Sequence, residues 1–133
     1  MNFLAKLKPA VLLRLGLGLT YLYSGYDILF HPTAWIWAIT SLPQFLKNII
    51  AGVGFENFLR MQGAGELVLA FLFLAWFIPG SIIRWVALFT AAEMALILLL
   101  VGVDPITFRD FGLLGAALAL IVINNKNGSI KQN

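Results

Sequence analysis

Residues 82–103, IIRWVALFTAAEMALILLLVGV, carry one cation, Arg84, near their start and one acid, Glu93, close to their middle. At about 1.5 Å per residue this stretch is as long as the hydrocarbon core of a bilayer is thick, about 30 Å. Working outward, Pro79-Gly80 marks a turn just before it, and Asp104-Pro105 closes it. A second apolar stretch, 58–78, precedes the turn and contains Glu66. A third, 10–30, ends at His31-Pro32, because the residue before proline avoids helical geometry. Residues 108–123 form the fourth, opened by Thr107 and Asp110 at the spacing of a capping box. The expected fold is an all-α integral membrane protein, an antiparallel four-transmembrane-helix bundle in a single domain.

Composition agrees with this reading. The 133 residues are 61% hydrophobic and only 11% charged, against about 45–50% and about 25% in soluble domains. Mean hydropathy is +0.92. At 14.7 kDa there is room for four spans and little else, which excludes an added soluble catalytic domain. Lys6 and Lys8 before an apolar run mimic a signal peptide, but Arg14 interrupts the run and no small-residue cleavage site follows, so the first span is expected to stay. Between the first two spans, 31–57 is expected to lie in the interface as short helices. It holds Trp35 and Trp37, then a stretch with Phe45, Leu46, Ile49 and Ile50 on one face. The tail 124–133 is polar and expected to fray.

The nine Lys and Arg are scattered singly beside span ends, which argues for topology signals and against nucleic acid. Lys6, Lys8, Arg14, Arg84, Lys126 and Lys131 fall on one side, and Lys47, Arg60 and Arg109 on the other. Six against three places both termini in the cytoplasm and the tryptophan-bearing segment outside. Arg14 and Arg84 read as snorkelling anchors. Lipid gives helices no hydrophobic reason to associate, so small residues should mark the contacts. Candidates are Gly16 with Thr20, Gly18 with Tyr21 and Gly25, Gly63 and Gly65, Gly112 with Ala116, and Gly115 with Ala119. The second and third spans, joined by a tight turn, are expected to form a hairpin.

Glu66 and Glu93 are the informative acids. Measured from their span ends they lie about 12 Å and about 16 Å deep, close to one level in antiparallel helices. A carboxylate there costs about 2.5–3.5 kcal/mol unless partnered, so both should face inward. Held close together away from water, at least one is expected to carry a proton at neutral pH. Two readings follow: a polar site for the oxygen of a lipophilic ligand or for proton relay, or a structural carboxyl bonded to Gln62, Thr90 or backbone. A second charge cluster, Asp27, Arg60, Arg109 and Asp110, is expected nearer the outer interface. It reads as an ion-pair network fixing helix ends or as the mouth of the site. Tyr21 is a candidate lining residue. The candidate ligand-binding set is Glu66, Glu93, Arg109, Asp27, Asp110, Gln62 and Tyr21, with no catalytic residue assigned. The absence of cysteine removes thiol chemistry and cysteine-ligated clusters, and a single histidine, His31, cannot supply paired haem ligands. No metal and no intrinsic cofactor are expected, and redox work would need a diffusible cofactor such as a quinone.

Four motifs in order resemble the DoxX family of small prokaryotic membrane proteins. They are the helix Arg14-Leu15-Gly16-Leu17-Gly18-Leu19 with Tyr23-Ser24-Gly25-Tyr26-Asp27, His31-Pro32 with a following tryptophan, Gly63-Ala64-Gly65-Glu66-Leu67, and Thr107-Phe108-Arg109-Asp110-Phe111-Gly112-Leu113. Many members carry lysine near the position of Asp27 or Ile28. The resemblance implies a four-helix bundle in the prokaryotic inner membrane and a non-catalytic or cofactor-dependent subunit of a quinone-linked oxidoreductase complex. Arg14, Glu66, Arg109 and Asp110 sit at matching motif positions. Partners then include the bilayer, a redox subunit, a lipophilic small molecule and a second copy of the chain. Two alternatives stand beside it: a binding or transport protein for another lipophile or ion, and a scaffold without chemistry.

Overall fold

The structure is a computed structural model that describes residues 8–129, with side chains described through Asn125. Lys6, Lys131 and the tail 130–133 lie outside the described residues, as does the side chain of Lys126. Among the described residues every regular element is helical: α1 (Pro9–Phe30), α2 (Ile36–Thr40), α3 (Gln44–Ala51), α4 (Phe55–Leu74), α5 (Gly80–Leu100) and α6 (Asp110–Ser129). Single 3₁₀ turns at Pro32–Trp35 and Thr107–Arg109 lead into α2 and α6. Proline places three of the six starts. Pro9 opens α1, where its missing N–H has no partner to lose, and Pro43 and Pro79 directly precede α3 and α5. Helix α5 and the stretch Thr107–Asn125 are each long and apolar enough to cross a membrane.

Several boundaries differ from the sequence reading for identifiable reasons. Gly54 adopts φ 91°, which lets the chain pass from α3 straight into α4, so that helix starts at Phe55 rather than near 58. It ends at Leu74 rather than 78, where Ala75 turns extended. Arg14 is the cause of order there. Its guanidinium donates to the carbonyls of Phe73 (2.9 Å) and Ala75 (2.6 Å), with longer contacts to Ile78 and Leu72. The expected snorkelling anchor is therefore a cap on the end of α4, satisfying carbonyls that a helix leaves open. At the far end of the chain, α6 runs to Ser129, so 124–129 is helical and not a frayed tail. Asn124 donates back to the Leu120 carbonyl, and Arg84 of α5 reaches Asn125.

The capping box also lies one turn earlier than expected. Asp104 Oδ1 accepts from the N–H of Ile106 (2.7 Å) and Thr107 (2.8 Å), while Thr107 Oγ1 accepts from the Asp104 N–H (2.9 Å). Thr107 thus pairs with Asp104 behind it, and not with Asp110 ahead.

Packing divides the four long helices into two pairs. Along most of their length α1 packs on α4 and α5 on α6, and the pairs meet through α1 and α6. Although a short turn joins them, α4 and α5 touch little, so the expected hairpin is not a close-packed one. The core between the pairs is centred on Leu17, Phe73, Ile83, Ala87, Ala117 and Leu120. A smaller cluster of Ile28, Ile39, Ile50 and Leu59 fastens α2 and α3 across the end where α1 finishes. The closest helix approach is at Gly25 and Gly63: a Cβ on Gly63 would fall 2.6 Å from the Leu29 backbone nitrogen and 2.8 Å from the Gly25 carbonyl. By contrast a Cβ at Gly16, Gly65, Gly112 or Gly115 would meet nothing within 4 Å, so these glycines do not mark the close contacts expected of them, although Ala116 packs against the core.

Candidate functional site

Helix spacing sets the site. Tyr21 and Ser24 are three residues apart on α1, Gln62 and Glu66 four apart on α4, and each pair shares one face. Gly25 and Gly63 allow α1 and α4 to approach closely enough for these faces to meet. From the other pair, α5 contributes Glu93.

The five side chains form one hydrogen-bonded chain across three helices. Ser24 donates to Glu66 Oε2. The Gln62 amide donates to Glu93 Oε1 at 2.7 Å and, more loosely, to Glu66 Oε1 at 3.4 Å. Tyr21 completes it by donating to Glu93 Oε2 at 2.5 Å. One amide thus links the two acids, which places both inside the bundle at one level. Glu66 is 7% exposed. Glu93 is half-buried on the cavity wall, and each of the four carboxyl oxygens of the two acids has a donor. Thr90, one turn before Glu93 on α5, is not among those donors; its fully buried Oγ1 has no hydrogen-bond partner among the described residues.

This chain of polar groups forms the floor of a cavity of about 560 Å³ between the two helix pairs. The walls are apolar: Ile28, Leu59, Ile97, Leu100 and Leu113 come from the long helices, and Ile39, Leu46 and Ile50 from the short helices across its end. Phe89, Ala92 and Leu96 line it while remaining exposed, so its open side lies along α5, where α4 and α5 part. Trp35 and Trp37, their rings 6.3 Å apart, also line it. Among the described residues Arg109 is the one cation of the lining, and it stands with Asp110 at the start of α6, their nearest atoms 3.9 Å apart. Asp110 is 6% exposed and makes no shorter polar contact among the described residues. A volume of this size suits a small organic molecule, and apolar walls with a few convergent polar groups are the usual form of such a site.

Of the residues singled out in the sequence, Glu66, Glu93, Gln62, Tyr21, Arg109 and Asp110 line this cavity. Asp27 does not. Its carboxylate accepts from the Trp35 indole (2.8 Å) and lies 3.2 Å from His31 Nδ1, on the outside of α1. Arg60 donates to the Leu29 carbonyl (2.8 Å). The four-charge cluster therefore does not assemble, because Asp27 and Arg60 are each engaged locally by the chain end that turns at His31. Ser24 and the two tryptophans were missed as site residues. Ser24 could have been found from its three-residue spacing to Tyr21, whereas nothing local shows that α2 folds back over the cavity. No protein-family model, curated protein or solved structure matches this chain.

Proposed function

We propose that this protein is a four-span membrane subunit that holds a quinone-like lipophile in its interior cavity and presents it to a redox partner, as its resemblance to DoxX-like proteins implies. The carrying observation is the cavity itself, with apolar walls, an open side along α5, and a floor of two acids joined through Gln62. Such a shape favours a flat or chain-like lipophile over a hydrated solute. A protonatable floor suits a molecule whose reduction takes up protons.

Support for four spans comes from the outer surface. Beyond the two helices that meet the length and hydropathy criterion, α1 and α4 have 22 and 20 residues. Leu19, Tyr23, Met61, Val68, Leu88, Leu99 and Val122 are all exposed, Leu99 to 80%, so every long helix carries an apolar outer face. Contiguous apolar surface on that scale needs a nonaqueous neighbour. Among the polar residues that lower the hydropathy of α1 and α4, Ser24, Gln62 and Glu66 turn inward, Arg14, Asp27 and Arg60 are bonded near helix ends, and Glu56 and Asn57 lie exposed in the first turn of α4. On this reading the termini are cytoplasmic, α2 and α3 lie at the outer face of the inner membrane, and Arg109 shapes the opening.

Native mass spectrometry of protein extracted in mild detergent is the test. A retained quinone-class lipophile, and loss of quinone-coupled activity from membranes carrying Glu66→Gln, is the expected result. Absence of any lipophile together with full activity of the variant would refute the reading. Liposome uptake that depends on Glu66 without an electron donor would favour transport instead.

A further inference from the structure

The hydrogen-bonding groups of the cavity are unevenly divided. Its floor donors are engaged before a ligand arrives: Ser24, Tyr21 and the Gln62 amide all point at the two carboxyl groups. Thr20 donates to its own helix at the Gly16 carbonyl, Thr107 to the Gly102 carbonyl, and the Trp35 indole to Asp27. What stays open at the floor is acceptor capacity; the two lining donors without an acceptor among the described residues, the Arg109 guanidinium and the Trp37 indole, lie away from that floor, before α6 and on α2. Among the described residues the Gln62 carbonyl oxygen has no donor and Asp110 has no partner within hydrogen-bond distance, while each carboxyl oxygen of Glu66 and Glu93 has a lone pair beyond the bond it already accepts. A proton resident on one acid converts one of these oxygens to a donor and leaves the others as acceptors. The charge balance points the same way, since among the described residues three acids line the cavity against a single cation, Arg109.

Building on the proposed lipophile site, we infer that its floor selects head groups that donate hydrogen bonds, namely a phenolic or quinol hydroxyl or a protonated amine, over head groups that only accept. A quinone carbonyl brought to this floor meets other acceptors, whereas a hydroxyl or N–H meets partners it can satisfy. The selected state of a quinone-like ligand is then the reduced one. The ring faces of Tyr21, Trp35 and Trp37 would accommodate either a flat phenol or a cation. A carbonyl ligand held at the mouth by Arg109 is the rival arrangement.

Isothermal titration of the purified full-length chain, under anaerobic conditions, separates these cases. The probes share a decyl tail: decylhydroquinone, its dimethyl ether, decylbenzoquinone, decylammonium and decyltrimethylammonium. Hydroquinone, decylammonium or both should bind at least about tenfold tighter than the ether and the quinone. In the double variant Glu66→Gln with Glu93→Gln, which replaces acceptor oxygens by donor amides, that ratio should fall to about threefold or less. Preference for hydroquinone identifies a hydroxyl donor and preference for decylammonium a cationic one. Equal affinity for quinone or ether overturns the inference and leaves the cavity as a lipophile site. Where decylammonium is the preferred probe, equal affinity for decyltrimethylammonium also overturns it, because charge without an N–H would then suffice. Failure of every probe to bind refutes the lipophile site as well. If the double variant does not fold, Tyr21→Phe, which frees one more acceptor on Glu93, should widen the preference; a narrowed preference counts against the inference.

Discussion

Single atoms decide much of this structure, and the glycines show it most clearly. At Gly63 a methyl group would meet backbone, the Leu29 nitrogen and the Gly25 carbonyl, neither of which can rotate away. Gly63→Ala should therefore force α1 and α4 apart and cost about 1–3 kcal/mol, the usual range for overpacking. Thermal unfolding in detergent should show a clear drop. At Gly65, two residues on, a Cβ meets nothing within 4 Å. Gly65→Ala should leave the melting temperature unchanged or raise it, since alanine in a helix is favoured by about 0.5–1 kcal/mol. The sequence presents these two glycines as equivalent, and only the position of α1 distinguishes them. Glu66 and Glu93 were legible as inward-facing residues because a lipid-facing acid is costly at any helix face. Their link through Gln62 was partly legible, being a one-turn spacing on α4. Asp27 was misread because its partner, Trp35, returns to it through a turn that sequence spacing does not reveal.

At the scale of elements, polar side chains at the helix ends fix where the helices stop and start. Arg14 stabilises the end of α4 by bonding to carbonyls that no helix turn satisfies. Arg14→Leu should lower stability by about 1.5–3 kcal/mol, the range for hydrogen bonds to a charged group. Arg14→Lys should restore only part of this, because an ammonium cannot span the carbonyls of Phe73 and Ala75 as a planar fork does. A melting series of the two variants checks both statements. Before α6, the N–H groups of Thr107 and Ile106 donate to Asp104 and hold its carboxyl below the ordinary aspartate value. A lowered native value means that the stabilisation is complete above the unfolded value of about 3.9 and disappears as pH falls through the native one. The amide resonances of Ile106 and Thr107 should thus titrate with a midpoint under about 3.9. In Asp104→Ala that titration should vanish, and a midpoint at the unfolded value in the parent would contradict the turn geometry.

The whole molecule consists of two helix pairs that part on one side, and its membrane placement can be tested without altering a native thiol, because the chain has no cysteine. In intact cells, Asn48→Cys and Pro105→Cys should react with an impermeant maleimide, and Ser81→Cys only after the inner face is opened. Leu19→Cys, Val68→Cys and Leu88→Cys, on the exposed apolar faces of three helices, should resist both treatments. Ready labelling at Leu19 or Val68 would mean that α1 or α4 does not cross the bilayer.

From sequence alone came the helical class, the approximate extents of the four long helices and the common level of the two acids along them, because these follow from hydrophobic length and the rise of a helix, which are local quantities. Tertiary structure alone decided that α1 pairs with α4, that α4 and α5 part to leave a cavity, that Arg14 turns to a helix end, and which glycines are contacts. Those outcomes depend on which helix faces meet, and in a chain apolar on nearly every face the hydrophobic pattern does not distinguish one face from another.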